Sequence, residues 1–154
     1  MFEDHTVREW KGDIEKDCKT IFTDVVKLVP DNSKYVVFLS DGSIKMRNIN
    51  DKSIVDIIAN IEDYINVTDG NILYVNICNN ELIIVKGNSI IAIPMNNPSI
   101  DSAKITYVDN KITRFTINQE FGIVCTYDKV FVRYTNGDLI QLCGLNLLDL
   151  FEND

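Results

Sequence analysis

The sequence predicts a mainly β fold of antiparallel hairpin and meander sheets with an N-terminal amphipathic helix; an α+β arrangement is the alternative. Three observations carry this. From residue 25 onward, short runs rich in Ile, Val, Phe and Tyr recur, the residue types that suit a pleated, half-buried surface. Turn dipeptides punctuate these runs. Asp41-Gly42, Asp69-Gly70, Asn79-Asn80, Gly87-Asn88, Asp109-Asn110 and Asn136-Gly137 all tolerate the positive φ that tight hairpins demand. Ahead of residue 22, by contrast, the apolar residues fall three or four apart.

Taken in order, Val7, Trp10, Ile14, Cys18 and Ile21 stack on one stripe of a helix, which predicts a helix over 4–21. Thr6 and Glu9 fit a capping box at its start, and Gly12 weakens its interior by roughly 1 kcal/mol relative to Ala. Strands are predicted near 35–40, 43–48, 71–78, 81–86, 89–94, 104–108, 111–117, 122–127, 130–135 and 138–143. Pro94 falls at a strand end, where Pro is allowed. Ile54, Ile57, Ile58, Ile61 and Ile65 follow helical spacing behind Ser53, and that spacing predicts a short helix against their β-branched preference. The irregular stretch 95–101 is where the chain is expected to cross between sheets. The organisation expected is one domain over 1–154: helix 4–21, hairpin region 22–144, and an acidic, apolar segment 145–154.

A faint repeat runs through the hairpins. Val25 to Val29, Tyr35 and Asp41-Gly42-Ser43-Ile44 lie over Ile54 to Ile58, Tyr64 and Asp69-Gly70-Asn71-Ile72, and a poorer copy runs from Ile112 to Val130. An apolar run, an aromatic, an acid with a turn and another strand look like the blades of a propeller protein. That resemblance implies about three blades, which leave open edges and require closure by self-association. A sandwich and a twelve-stranded trefoil are the other forms the length admits.

Composition narrows the function. Lys and Arg number 15 against 23 Asp and Glu, a net charge of -8, opposite to what binding to nucleic-acid phosphates requires. Between residues 53 and 85 there are five acids and no base, and after Arg133 four more acids and again no base, so the expected charge-steered partner is basic. No apolar stretch approaches the roughly 20 residues that span a bilayer. The first twenty residues carry acids where a secretion signal has a basic start and an apolar centre. Both points lead to an expectation of a cytoplasmic protein whose four cysteines are reduced. The 22 Ile and 17 Asn are a bias that AT-rich genomes produce, as in phages and large DNA viruses, and set the expected source.

Chemistry is sparse. His5 is the single histidine, so any Ser-His-Asp or Cys-His arrangement has to use it. The cysteines Cys18, Cys78, Cys125 and Cys143 contain no close pair of the kind zinc sites use. Asp63, Asn66, Asp69 and Asn71 miss the alternating spacing of a calcium loop, and phosphate-cradling glycine motifs are absent. No catalytic, cofactor-binding or metal-binding residue is therefore assigned, and no cofactor is expected. Any two acids can converge in space, so a carboxylate-based enzyme acting on a small substrate stands as the alternative.

The end of the chain carries the most specific pattern. Leu147, Leu148, Asp149, Leu150 and Phe151 precede Glu152-Asn153-Asp154. These residues resemble the bacterial sliding-clamp binding peptide, Gln-Leu-Ser/Asp-Leu-Phe, at Leu148, Asp149, Leu150 and Phe151; Leu147 stands where that family has Gln. The resemblance implies a Leu-Phe pair that enters an apolar pocket of a partner, and makes these five the candidate partner-binding residues. The other reading is a terminal helix or strand whose Leu145, Leu148 and Phe151 cover the β core. The function expected is a non-enzymatic protein-interaction or structural module, self-associating into a homo-oligomer, of the kind an acidic inhibitor or immunity-type protein represents. Neither nucleic acid nor membrane is expected as a partner.

Overall fold

The structure, a computed structural model, describes residues 1–12, 18–64 and 72–143. These residues are mainly β and form four antiparallel sheets. The chain divides into two compact units, Met1–Asp63 and Tyr64–Asp154. In unit 1, β1 (Val7–Glu9) and β2 (Lys19–Phe22) make a two-stranded ribbon. Strands β3 (Val25–Asp31), β4 (Lys34–Leu39), β5 (Ile44–Asn48) and β6 (Ile54–Ile58) follow as a four-stranded meander. In unit 2, β7 (Tyr74–Cys78), β8 (Glu81–Lys86), β9 (Ser89–Pro94) and β10 (Lys104–Tyr107) form a second meander. Strands β11 (Arg114–Ile117), β12 (Phe121–Cys125), β13 (Val130–Tyr134) and β14 (Leu139–Cys143) form a third.

The turns explain the meanders. Cys78 pairs with Glu81, leaving Asn79 and Asn80 at φ 52 and 60, the double left-handed geometry that matches strand twist. Lys86 pairs with Ser89 across Gly87, at φ 60. The next sheet starts from that same turn, because the Gly87 carbonyl accepts from the Ile112 N–H at 2.9 Å and the Asn88 side chain donates to the Val108 carbonyl at 2.9 Å. The core of unit 2 lies between its two sheets: Ile83, Val85, Ile90 and Ala92 meet Val108, Ile112 and Val124, with Phe115, Phe131 and Leu139 packed at its margin. Unit 1 seats Val7 and Phe22 of the ribbon on Val25, Tyr35 and Val37 of its sheet, burial worth roughly 1.5–3 kcal/mol for each large side chain.

All ten strands read from the sequence are present, as β4, β5 and β7 to β14. The helix over 4–21 is not: residues 7–9 and 19–22 are strands, and 13–17 lie outside the described residues. Among the described residues of the helical stripe only Val7 is buried, whereas Trp10 and Cys18 are exposed. Alternation wins over the 3.6 period here, since Val7 and Glu9 share the inward face of a ribbon. The capping box is not formed either. Thr6 donates to Asp4 from its N–H and its hydroxyl, at 3.2 and 2.6 Å, and Glu9 is engaged elsewhere.

The helix behind Ser53 is also corrected. Residues 54–58 are edge strand β6, and only Ile61–Tyr64 turns, as a single 3-10 turn. β-Branched side chains prefer the pleat, and the Lys45–Asp56 ion pair at 2.6 Å clips the strand in register beside β5. The α+β alternative needs helices at both 53–63 and 146–152; strand β6 removes the first, and the second lies outside the described residues. The stretch 95–101 returns the chain to the same sheet, because β10 pairs with β9. The two better copies of the faint repeat are not successive sheets: Val25–Val29 and Ile54–Ile58 are the two edge strands of one sheet. The real period is one four-stranded meander.

Candidate functional site

Alternation along β1 sends Val7 into the core of unit 1 and Glu9 to its margin. Tyr35 and Arg47 are cross-strand partners on β4 and β5, so both point to the face that the ribbon covers. They meet Glu9 there. Arg47 Nε donates to Oε2 and Nη2 to Oε1, each at 3.1 Å, and the Tyr35 hydroxyl donates to Oε2. Arg47 Nη1 also donates to the Lys52 carbonyl, which ties the β5–β6 turn to the same guanidinium. The Phe22 ring closes the inner side, edge-on to Tyr35 at 6.3 Å.

Burial alone pulls the Glu9 carboxyl pKa up, but the hydrogen bonds from Arg47 and Tyr35 outweigh it and hold Glu9 below its ordinary value. Desolvation and the hydrogen bond to Glu9 push the Tyr35 hydroxyl far above its usual range, so it stays a donor. The hydrogen bond to Glu9 raises Arg47. This is a self-neutralised, bidentate pair in a partly dry setting.

The pair forms one wall of an open cleft of about 650 Å³, within the ~300–1,000 Å³ typical of ligand sites. Trp10, Lys11, Lys19 and Ile21 line it from the ribbon, and Ile49, Asn50 and Lys52 from the β5–β6 turn. Trp10 is 47% exposed and Ile49 45% exposed, an uncommon solvent display for large apolar groups that face the same concavity. Lys11, Lys19 and Lys52 form no ion pair among the described residues. Among its described lining residues, the cleft thus brings three lysines and exposed apolar groups together in a chain of net charge -8.

A second polar site lies in unit 2. Arg133 is 2% exposed, and its Nε and Nη2 are buried without a hydrogen-bond partner. Desolvation lowers its pKa, opposed by the nearby charge of Glu81. The space beside it, bounded by Asn79, Glu81, Asn118 and Thr135, is about 10 Å³, room for about one water.

The sequence-predicted site residues Leu147, Leu148, Asp149, Leu150 and Phe151 lie outside the described residues. His5 is exposed at φ 61, and its backbone carbonyl accepts from the Val25 N–H at 2.9 Å. Cys18 is exposed; Cys78 and Cys125 are half-buried. Among the described residues no three His, Cys, Asp or Glu side chains converge on one point. Of the calcium-like set, Asn66, Asp69 and Asn71 fall outside the described residues. Asp41-Gly42-Ser43 is a turn, as its sequence implies, with Asp41 Oδ1 accepting from the Ser43 N–H at 2.9 Å. The cleft itself escaped sequence reasoning because its walls come from three separated segments. An acid two residues after a buried Val was the one local signal.

No protein-family model and no curated protein sequence matches this chain. Solved structures do. The chain is similar to dihydro-heme d1 dehydrogenase NirN, with a TM-score of 0.57, 14% identity, and coverage of 93% of this chain and 33% of that one. It is similar to the N-terminal domain of Nup159, with a TM-score of 0.56, 15% identity, and coverage of 90% and 35%. It is also similar to the extracellular domain of a hybrid two-component system from B. thetaiotaomicron, with a TM-score of 0.56, 16% identity, and coverage of 79% and 17%. The chain therefore spans about a third or less of the length of these structures. At such identities the likeness shows the fold alone: consecutive antiparallel β sheets.

Proposed function

We propose that this protein is a non-enzymatic protein-interaction module that self-associates, with the Trp10–Lys19–Lys52 cleft as its docking site. The observation that carries the reading is the cleft's composition. Among the described lining residues the carboxylate of Glu9 is already neutralised by Arg47, while the lysines and two exposed apolar groups face solvent. Aromatic anchors inside a polar rim are what protein interfaces enrich. Acids elsewhere on the surface suit a basic partner, but this cleft suits an acidic one.

The carboxylate-enzyme alternative draws no support from the acids. Among the described residues, the acids whose pKa departs from the ordinary value, Asp4, Glu9, Asp41 and Asp51, all depart downward, whereas a general acid needs the opposite shift. Among the described residues no helix is long and apolar enough to cross a membrane.

Light scattering in the micromolar range tests the reading. The expected mass is a multiple of the 17.6 kDa chain, falling on dilution; a monomer mass at every concentration overturns self-association.

A further inference from the structure

The cleft asks for an occupant that is apolar and acidic at once. Trp10, Ile21 and Ile49 offer it apolar surface, and Lys11, Lys19 and Lys52 offer it three cations. One stretch of this chain has that composition. Residues 145–154 read Leu-Asn-Leu-Leu-Asp-Leu-Phe-Glu-Asn-Asp: five large apolar side chains, three carboxylates and no base. We propose that the cleft takes segment 145–154 of a second copy of the chain, an inference that rests on the self-association reading and names its contact.

Charge is what selects this pairing. Two copies of a chain of net charge -8 repel one another over most of their surface, so association concentrates where opposite signs and exposed apolar groups coincide. The Arg47–Glu9 pair contributes no net charge, which leaves, among the described lining residues, three lysines against Asp149, Glu152 and Asp154. Each chain carries one cleft and one such segment. The contact is therefore heterologous, and it either closes a ring or grows a chain. A Trp that docking takes out of water, with lysines at its rim, also fits the anatomy of an interface centre, apolar inside and polar at the edge.

Trp10 is the single tryptophan, so the intrinsic fluorescence of the full chain reads the cleft directly. On dilution through the micromolar range, its emission is expected to shift red in step with the fall in scattering mass. Lys19→Glu combined with Lys52→Glu should weaken association about tenfold or more, in line with charge pairs across interfaces. Adding Asp149→Lys and Glu152→Lys to that variant should restore most of it, a rescue that a misfolded protein does not give. If the chain associates but Trp10 emission and the lysine variants do not report it, the copies meet elsewhere, and this inference falls while the self-association reading stands. If the mass is monomeric and Trp10 emission responds to Phe151→Ala, the segment acts within its own chain, and the second copy is refuted. If the mass is monomeric and emission is indifferent to Phe151→Ala, both readings fall.

Discussion

Glu9 shows how one side chain ties stability to pH. Its carboxyl pKa lies below the ordinary 4.5, because Arg47 and Tyr35 bond the charged form more strongly than burial penalises it. A carboxyl whose pKa is lowered on folding contributes stability that is complete above its unfolded value and disappears as pH falls through the folded one. Asp4, Asp41 and Asp51 are lowered too, first by side-chain hydrogen bonds from Thr6, Ser43 and Ser53, so acid destabilises the chain at several points. Comparison with Glu9→Gln isolates this one. At neutral pH that variant should lose roughly 1–3 kcal/mol, the cost of leaving Arg47 without its charged acceptor. Thermal melts of both proteins between neutral pH and pH about 3 should show the gap closing below the ordinary Glu range. A gap that stays constant with pH means that the bidentate pair does not form.

Single elements turn on backbone geometry that side-chain patterns only partly reveal. Gly42 holds φ 87 in the β4–β5 turn, and a Cβ placed there would sit 2.4 Å from Asn60 Oδ1, with the Ile61 N–H bonded to the Gly42 carbonyl at 2.8 Å. Gly12 has a similar φ of 82, with nothing within 4 Å of the added carbon. Gly12→Ala is therefore expected to cost about 1 kcal/mol of conformational strain, and Gly42→Ala clearly more, about 2–4 kcal/mol, because the Asn60 contact must also move. Urea titration of the two variants checks the order, and equal losses would mean that Asn60 does not pack against the turn. Turn chemistry of this sort made ten strands legible in the sequence: Asp41-Gly42, Asn79-Asn80 and Gly87-Asn88 each open a hairpin whose strands lie near the predicted ones. The misreadings share another cause. At 7–21 and 54–65, residues spaced three or four apart mimic a helix, but in the described parts of both, 7–9, 19–21 and 54–58, strand pairing decides. Val7 alternates with Arg8 in a ribbon, and Ile54 stays 48% exposed on an edge strand while Ile57 and Ile58 are buried. Strand β3 carries Pro30, which an edge strand accommodates.

At the scale of the whole chain, net charge misdirects a reader about the cleft. Twenty-three acids against fifteen bases lead to the expectation of a basic partner, and nothing in the linear order of Lys11, Lys19 and Lys52 shows that the β1–β2 ribbon and the β5–β6 turn gather them around Trp10. An association that joins these lysines to an acidic segment has a characteristic response to salt. Attraction between the lysines and an acidic segment weakens as the screening length drops from about 10 Å at 0.1 M to about 3 Å at 1 M. The concentration at which half the chains associate should therefore rise several-fold across that range of sodium chloride. An association made by apolar contact alone responds in the opposite sense, since losing the repulsion between two chains of charge -8 favours it, and sulfate favours it further. Light scattering over a salt series separates the two. Tighter association at 1 M sodium chloride than at 0.1 M would show that repulsion between like-charged chains, and not attraction at the cleft, dominates the assembly.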